Sequence, residues 1–115
     1  MKVIIAGSRN FKDYSFLCNK CDKALGLQKQ VEIVSGTAQG ADKLGEKYAE
    51  ERGYKIRQFP ADWNNYGKSA GYIRNEKMSK YADALICFWD GQSKGTKMMI
   101  DLAKNNNLKV KVYLF

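Results

Sequence analysis

Short apolar runs alternate along this chain with longer segments whose apolar residues recur at helical spacing. Val3-Ile4-Ile5-Ala6 is a β-branched run that predicts a buried strand over Lys2–Ala6. Gln30–Val34, Tyr54–Phe59, Ala84–Phe88 and Leu108–Phe115 predict four more. Phe16, Leu17, Ala24 and Leu25 mark one face of a helix from about Asp13 to Leu27, with Asp13 placed to cap it. Leu44, Tyr48 and Ala49 form the inner face of a second helix, which runs to about Arg52 and stops at Gly53. Further helices are expected from about Ser69 to Tyr81 and from Thr96 to about Lys104. The Tyr54–Phe59 run is the most polar of the strands and suits a sheet edge. Residues 60–68 form the longest irregular segment and hold the only proline.

This alternation predicts an α/β fold: a Rossmann-like, three-layer αβα arrangement around a five-stranded, mainly parallel sheet, in a single domain over residues 1–115. Right-handed crossovers bring every strand-to-helix loop to the carboxyl edge of such a sheet, and ligands bind there where the strand order reverses. Four polar loops share that rim. They carry Gly7, Ser8, Arg9 and Asn10; Ser35, Gly36, Thr37, Gly40 and Asp42; Asp62 and Trp63; and Asp90, Gly91, Ser93, Gly95 and Thr96. The last of them, Phe88 to Thr96, reads as strand, glycine turn and first helical turn. A helix start of that kind offers unpaired N–H groups and a positive dipole end to a phosphate.

Composition narrows the chemistry. Twenty Lys/Arg against twelve Asp/Glu give a net charge of +8, which favours phosphorylated or nucleic-acid partners or simply coats the helices with lysine. No apolar run is long enough to span a membrane, and the N-terminal run is too short for a secretory signal, so a cytoplasmic setting is expected. The chain has no histidine, which removes Ser-His and Cys-His nucleophile systems. Cys18 and Cys21 form a CxxC inside a predicted helix with no second pair, so neither a metal nor a resident cofactor is expected. Any catalysis falls to carboxylates, Arg, Lys, Tyr or backbone.

Several rim residues admit two readings. Asp42 either accepts from ribose hydroxyls or matches the dipole at a helix start. Arg9 pairs with phosphate or is solvated. Trp63 and Tyr66 stack on a base or cap the core under their loop. Arg74, with Asn75 and Glu76 beside it, is a phosphate clamp or a surface arginine.

Taken in order, the rim motifs resemble a known family. Gly7-Ser8-Arg9, Ser35-Gly36 with Gly40-Ala41-Asp42, Pro60-Ala61-Asp62-Trp63, Gly67-Lys68, Gly71, Arg74-Asn75, Met78, Ala82-Asp83 and Trp89-Asp90-Gly91 with Ser93, Gly95 and Thr96 are similar to the SLOG superfamily. Within it they resemble the small stand-alone branch of YspA-like, YpsA-related proteins found in bacteria and phages. The resemblance covers about Lys2 to Ala103. It implies a Rossmann-like fold, a nucleotide-derived ligand such as an ADP-ribose-like molecule on the rim, and pairing into a homodimer. The superfamily includes the LOG phosphoribohydrolases and the DNA-binding DprA/Smf proteins. LOG enzymes use an arginine on the third helix, where Arg74 stands, and a glutamate after a PGGxGT turn. Here Asp90 to Thr96 replaces that turn and Met99 occupies the glutamate position. A methionine neither activates water nor steadies an oxocarbenium centre.

These readings lead to one main expectation and two alternatives. The main one is a protein that binds a nucleotide or nucleotide-sugar and acts as a sensor or sequestering protein. The first alternative is an N-glycosidic hydrolase using Arg74 and a relocated carboxylate, with Asp90 put forward and Asp42 and Glu76 as substitutes. The second is single-stranded nucleic-acid binding, disfavoured because the basic residues form no stripe with interleaved aromatics.

Overall fold

A computed structural model describes all 115 residues. The strands are β1 (Lys2–Gly7), β2 (Glu32–Ser35), β3 (Lys55–Gln58), β4 (Ala84–Trp89) and β5 (Lys109–Leu114). The helices are α1 (Tyr14–Leu25), α2 (Ala41–Arg52), α3 (Trp63–Tyr66), α4 (Ala70–Tyr81) and α5 (Lys94–Asn105). A single 3₁₀ turn, Gly67–Ser69, joins α3 to α4. The sheet order is β3-β2-β1-β4-β5, and every adjacent pair is parallel. The order therefore reverses between β1 and β4, and the more polar β3 lies at an edge as its composition predicts.

Alternate β1 residues feed opposite layers, as the two-residue period of a strand requires. Val3 and Ile5 join Leu17, Cys21, Tyr48, Ala49 and Ile86 under α1 and α2. Ile4 and Ala6 join Met78, Leu85, Cys87, Met99 and Ile100 under α4 and α5. The central strands are buried on both faces, which explains why they read as unbroken apolar runs. Gly45 lets α2 settle on the sheet, since a Cβ there would stand 2.7 Å from Cγ2 of Ile5. Met78, Met99 and Ile100 are buried core residues, and Met98 is half-buried against the same cluster.

Caps fix the helix ends. Asp13 accepts the Phe16 N–H at 3.0 Å, and Gly53 closes α2 in the left-handed conformation. Cys21 is buried in α1 and its thiol is pushed up to about 12 by desolvation, which leaves it inert. One expectation needs correction: residues 60–68 are not wholly irregular, because Asp62 caps the four-residue α3. None of the five helices is long and apolar enough to cross a membrane.

Candidate functional site

The carboxyl ends of β1 and β4 meet at the switch point, and backbone contacts draw their loops together. Ser8 is the knot. Its N–H donates to Phe88 O at 2.9 Å, its carbonyl accepts from Phe11 at 3.1 Å and Ala41 at 3.4 Å, and its Oγ accepts the Asp90 N–H at 3.1 Å. Gly7 permits this approach, because a Cβ there would lie 2.1 Å from Phe88 O. Gly40 does the same at the start of α2, with φ of +77° and a would-be Cβ 2.5 Å from the carbonyl oxygens of Ser8 and Arg9. Phe11 stacks on Phe88 at 4.9 Å and anchors the β1 loop from below.

A cavity of about 210 Å³ opens between these loops. Gly7, Arg9, Asp42, Trp63, Arg74, Asn75, Ser93, Gly95 and Thr96, all anticipated, line it together. Ala6, Ala38, Gly71, Met78, Met98 and Met99 complete the wall and were not anticipated as site residues. Three methionines give the floor an apolar character. Their helical spacing signals a core face, so nothing in the sequence marks them as pocket residues.

Arg74 is half-buried on the first turns of α4. One guanidinium nitrogen, Nη1, donates to the carbonyl of Gly36, and Nε donates to Asn75 Oδ1 at 2.8 Å. Its Nη2 has no protein partner and borders the cavity. Gly36 makes room for the arrangement: a Cβ at that residue would stand 2.7 Å from Asp42 Oδ2 and 2.9 Å from Arg74 Nη1. Burial lowers the Arg74 pKa and the Asp42 charge opposes that effect.

Asp42 is only 6% exposed. Its Oδ2 accepts the Ala38 N–H at 3.2 Å. Burial pushes its carboxyl up to about 6, against the pull of that N–H and of the Arg74 and Arg9 charges. It makes no ion pair with either arginine, although both border the same cavity.

The α5 N-terminus closes the opposite wall. Ser93 caps it, its Oγ accepting from Thr96 N at 3.4 Å and Thr96 Oγ1 at 3.0 Å. The N–H groups of Lys94 and Gly95 keep no partner within the chain, and the space around Gly95 is open. Together with Arg9 and Arg74 they give the cavity a positive character suited to an anion.

The other anticipated rim residues, Asn10 and Thr37 among them, lie outside the cavity wall, and seven of them have a local reason. Ser8 is spent on the loop knot. Ser35 donates to Glu46 at 2.6 Å and accepts the Thr37 N–H at 3.0 Å. Gly36 and Gly40 provide clearance behind the wall. Asp62 caps α3 by accepting from Asn65 N at 3.2 Å and Asn65 Nδ2 at 2.7 Å. Asp90 Oδ1 accepts from Gln92 N at 2.9 Å and Ser93 N at 2.8 Å, which holds its carboxyl below the usual range. Gly91, at φ of +81°, turns the chain there. Glu76, the other candidate carboxylate, pairs with Lys80 at 3.8 Å instead. Trp63 is 54% exposed at the lip and does not cap the core.

Fold and pocket define a Rossmann-like α/β protein with a cation-lined pocket at the switch point of a parallel sheet. Comparison places it further: a model of the YspA, cpYpsA-related SLOG family matches residues 1–66, and the chain belongs to that family. The Gene 61 protein of Mycobacterium phage D29 is 30% identical over 116 residues, covering 95% of this chain and 93% of that protein. A solved structure described as a predicted tRNA methyltransferase subunit from Methanocaldococcus jannaschii covers all of this chain and 68% of its own, with a TM-score of 0.53 at 16% identity. That last likeness is one of fold.

Proposed function

We propose that the chain binds a nucleotide or nucleotide-sugar in the switch-point cavity and acts as a sensor or sequestering protein. The observation that carries the reading is the convergence of three phosphate-suited features on one cavity: Arg9, Arg74 with its free Nη2, and the open N-terminus of α5. Trp63 stands exposed at the lip, where a base could stack on it. Met99, 2% exposed, puts a thioether in the place of an enzyme's carboxylate. Titration calorimetry with AMP, ADP-ribose, NAD and cyclic nucleotides tests this. Saturable heat with at least one is expected, and no heat with any at millimolar concentration overturns it.

A second reading is hydrolysis of an N-glycosidic bond. Asp42 favours it, because a buried carboxyl poised near 6 beside a half-buried arginine suits acid–base work near neutral pH. Water would add at the sugar carbon and the base would leave with a proton. Asp90, engaged by two backbone N–H groups of its own turn, suits that role less well. Chromatography of incubations with nucleoside monophosphates and NAD separates the readings. Free base that vanishes in Asp42→Asn supports hydrolysis; unchanged substrate supports binding alone.

A further inference from the structure

Two polar side chains in the cavity wall are each more than nine-tenths buried yet keep one atom without a protein partner. Asp42 and Asn75 are both 6% exposed. Asp42 Oδ2 is engaged by Ala38, while Oδ1 has no hydrogen bond. Asn75 Oδ1 accepts from Arg74 Nε, and that fixes the amide orientation, because Nε can only donate. The Asn75 Nδ2 group is thereby turned away from Arg74 and has no partner of its own. No fully enclosed side-chain polar atom in the protein lacks a partner, so these two atoms face open space, and the cavity is the space they border.

One is an acceptor and the other a donor, and Arg74 stands beside both. Its Nε binds Asn75, and its Nη1 and Asp42 Oδ2 both lie where a Cβ on Gly36 would meet them, at 2.9 and 2.7 Å. A phosphate cannot satisfy the Asp42 corner. With Asp42 ionised, both groups are anionic acceptors, and burying one against the other carries a desolvation and repulsion cost with no hydrogen bond in return. The corner requires a ligand O–H or N–H. At about 210 Å³ the cavity is below the roughly 300–1,000 Å³ that takes a whole drug-sized ligand, so it has room for a sugar with its phosphate, and the base of such a ligand would be left at the Trp63 lip. The donor that a nucleotide would bring to this depth is a sugar hydroxyl, and a neighbouring hydroxyl would accept from Asn75.

Resting on the nucleotide reading above, we infer that Asp42 and Asn75 form a ribose-hydroxyl subsite that selects ribonucleotides over deoxyribonucleotides. A missing hydroxyl leaves a buried acceptor or donor unpaired, which is the arrangement that discriminates most strongly between close analogues.

The test is calorimetry on the full chain with AMP, 2′-deoxy-AMP and 3′-deoxy-AMP, together with ribose 5-phosphate and 2-deoxyribose 5-phosphate as base-free probes. Loss of affinity by about tenfold or more on removing either hydroxyl is expected. Asp42→Ala is expected to bring AMP down to the level of the weaker deoxy analogue. Equal affinity of ribo and deoxy forms overturns the subsite while leaving nucleotide binding intact. Failure of every probe to bind overturns the nucleotide reading and the subsite with it. The ligand series uses the unmodified protein, so it holds even if Asp42→Ala fails to fold; Asn75→Ala then serves as the second variant, with the same expected loss of selectivity.

Discussion

Asp42 is the one carboxylate in the pocket wall. A carboxyl whose folded pKa stands near 6, against 3.8 when unrestrained, is penalised as an anion. The folded state binds the proton more tightly than the unfolded one, so stability falls as pH rises from about 4 to about 6. This is opposite to the usual carboxylate. Above pH 6 the penalty is on the order of 3 kcal/mol. Asp42→Asn keeps an oxygen for the Ala38 N–H and removes the charge. The variant is expected to melt higher than the parent at pH 7.5, with the gap closing towards pH 4, as read by thermal unfolding across pH. A variant that melts no higher at pH 7.5 contradicts the burial argument. Stability given up at one carboxylate is a common mark of a functional position.

Arg74 makes a complementary case at the same scale. Its planar fork serves Gly36 O and Asn75 Oδ1 from fixed directions, and its Nη2 has no protein partner. A lysine supplies one flexible charge and cannot hold both partners. Arg74→Lys is therefore expected to weaken AMP binding by about tenfold or more despite the conserved charge. Retention of full affinity would mean that only the charge matters.

At the level of elements, two local devices shape the pocket. Ser93 caps α5, and Ser93→Ala removes the acceptor for both Thr96 N and Thr96 Oγ1. Losing such a cap costs about 1 kcal/mol, or roughly 4 °C in melting temperature for a domain of this size. The Gly36 loop is the other device. Gly36→Ala drives a methyl between Asp42 and Arg74, whose side-chain ends must separate. Ligand affinity is expected to drop by about tenfold or more with the fold retained, measured by calorimetry beside circular dichroism.

Much of this was legible in the sequence. The β-branched runs fix strands buried on both faces, and Asp13 and Gly53 mark helix ends where they stand. The rim loops fall together because parallel crossovers leave no other arrangement. What could not be read was which of the loop aspartates borders the cavity. Asp42, Asp62 and Asp90 look alike in sequence, yet Asp62 and Asp90 cap their own backbone and Asp42 alone turns into the cavity. The α3 turn escaped because four residues show no period. The methionine floor escaped because a pocket wall and a core face share the same spacing.

At the scale of the whole molecule, strand order decides where the site lies. With β1 and β4 adjacent and tied at Ser8, the chain beyond each strand departs to an opposite face of the sheet and leaves a crevice. Family membership agrees with this frame, and the +8 charge adds a general attraction for anions around it. The central claim is one of place: a nucleotide-derived ligand occupies the carboxyl edge at that crevice. Amide chemical shifts of the labelled protein, followed while AMP is added, test it directly. The account predicts perturbations concentrated at Gly7, Arg9, Asp42, Asn75, Gly95 and Thr96. Shifts confined to the opposite edge, around Gly53 to Lys55, or none at saturating AMP, would contradict it.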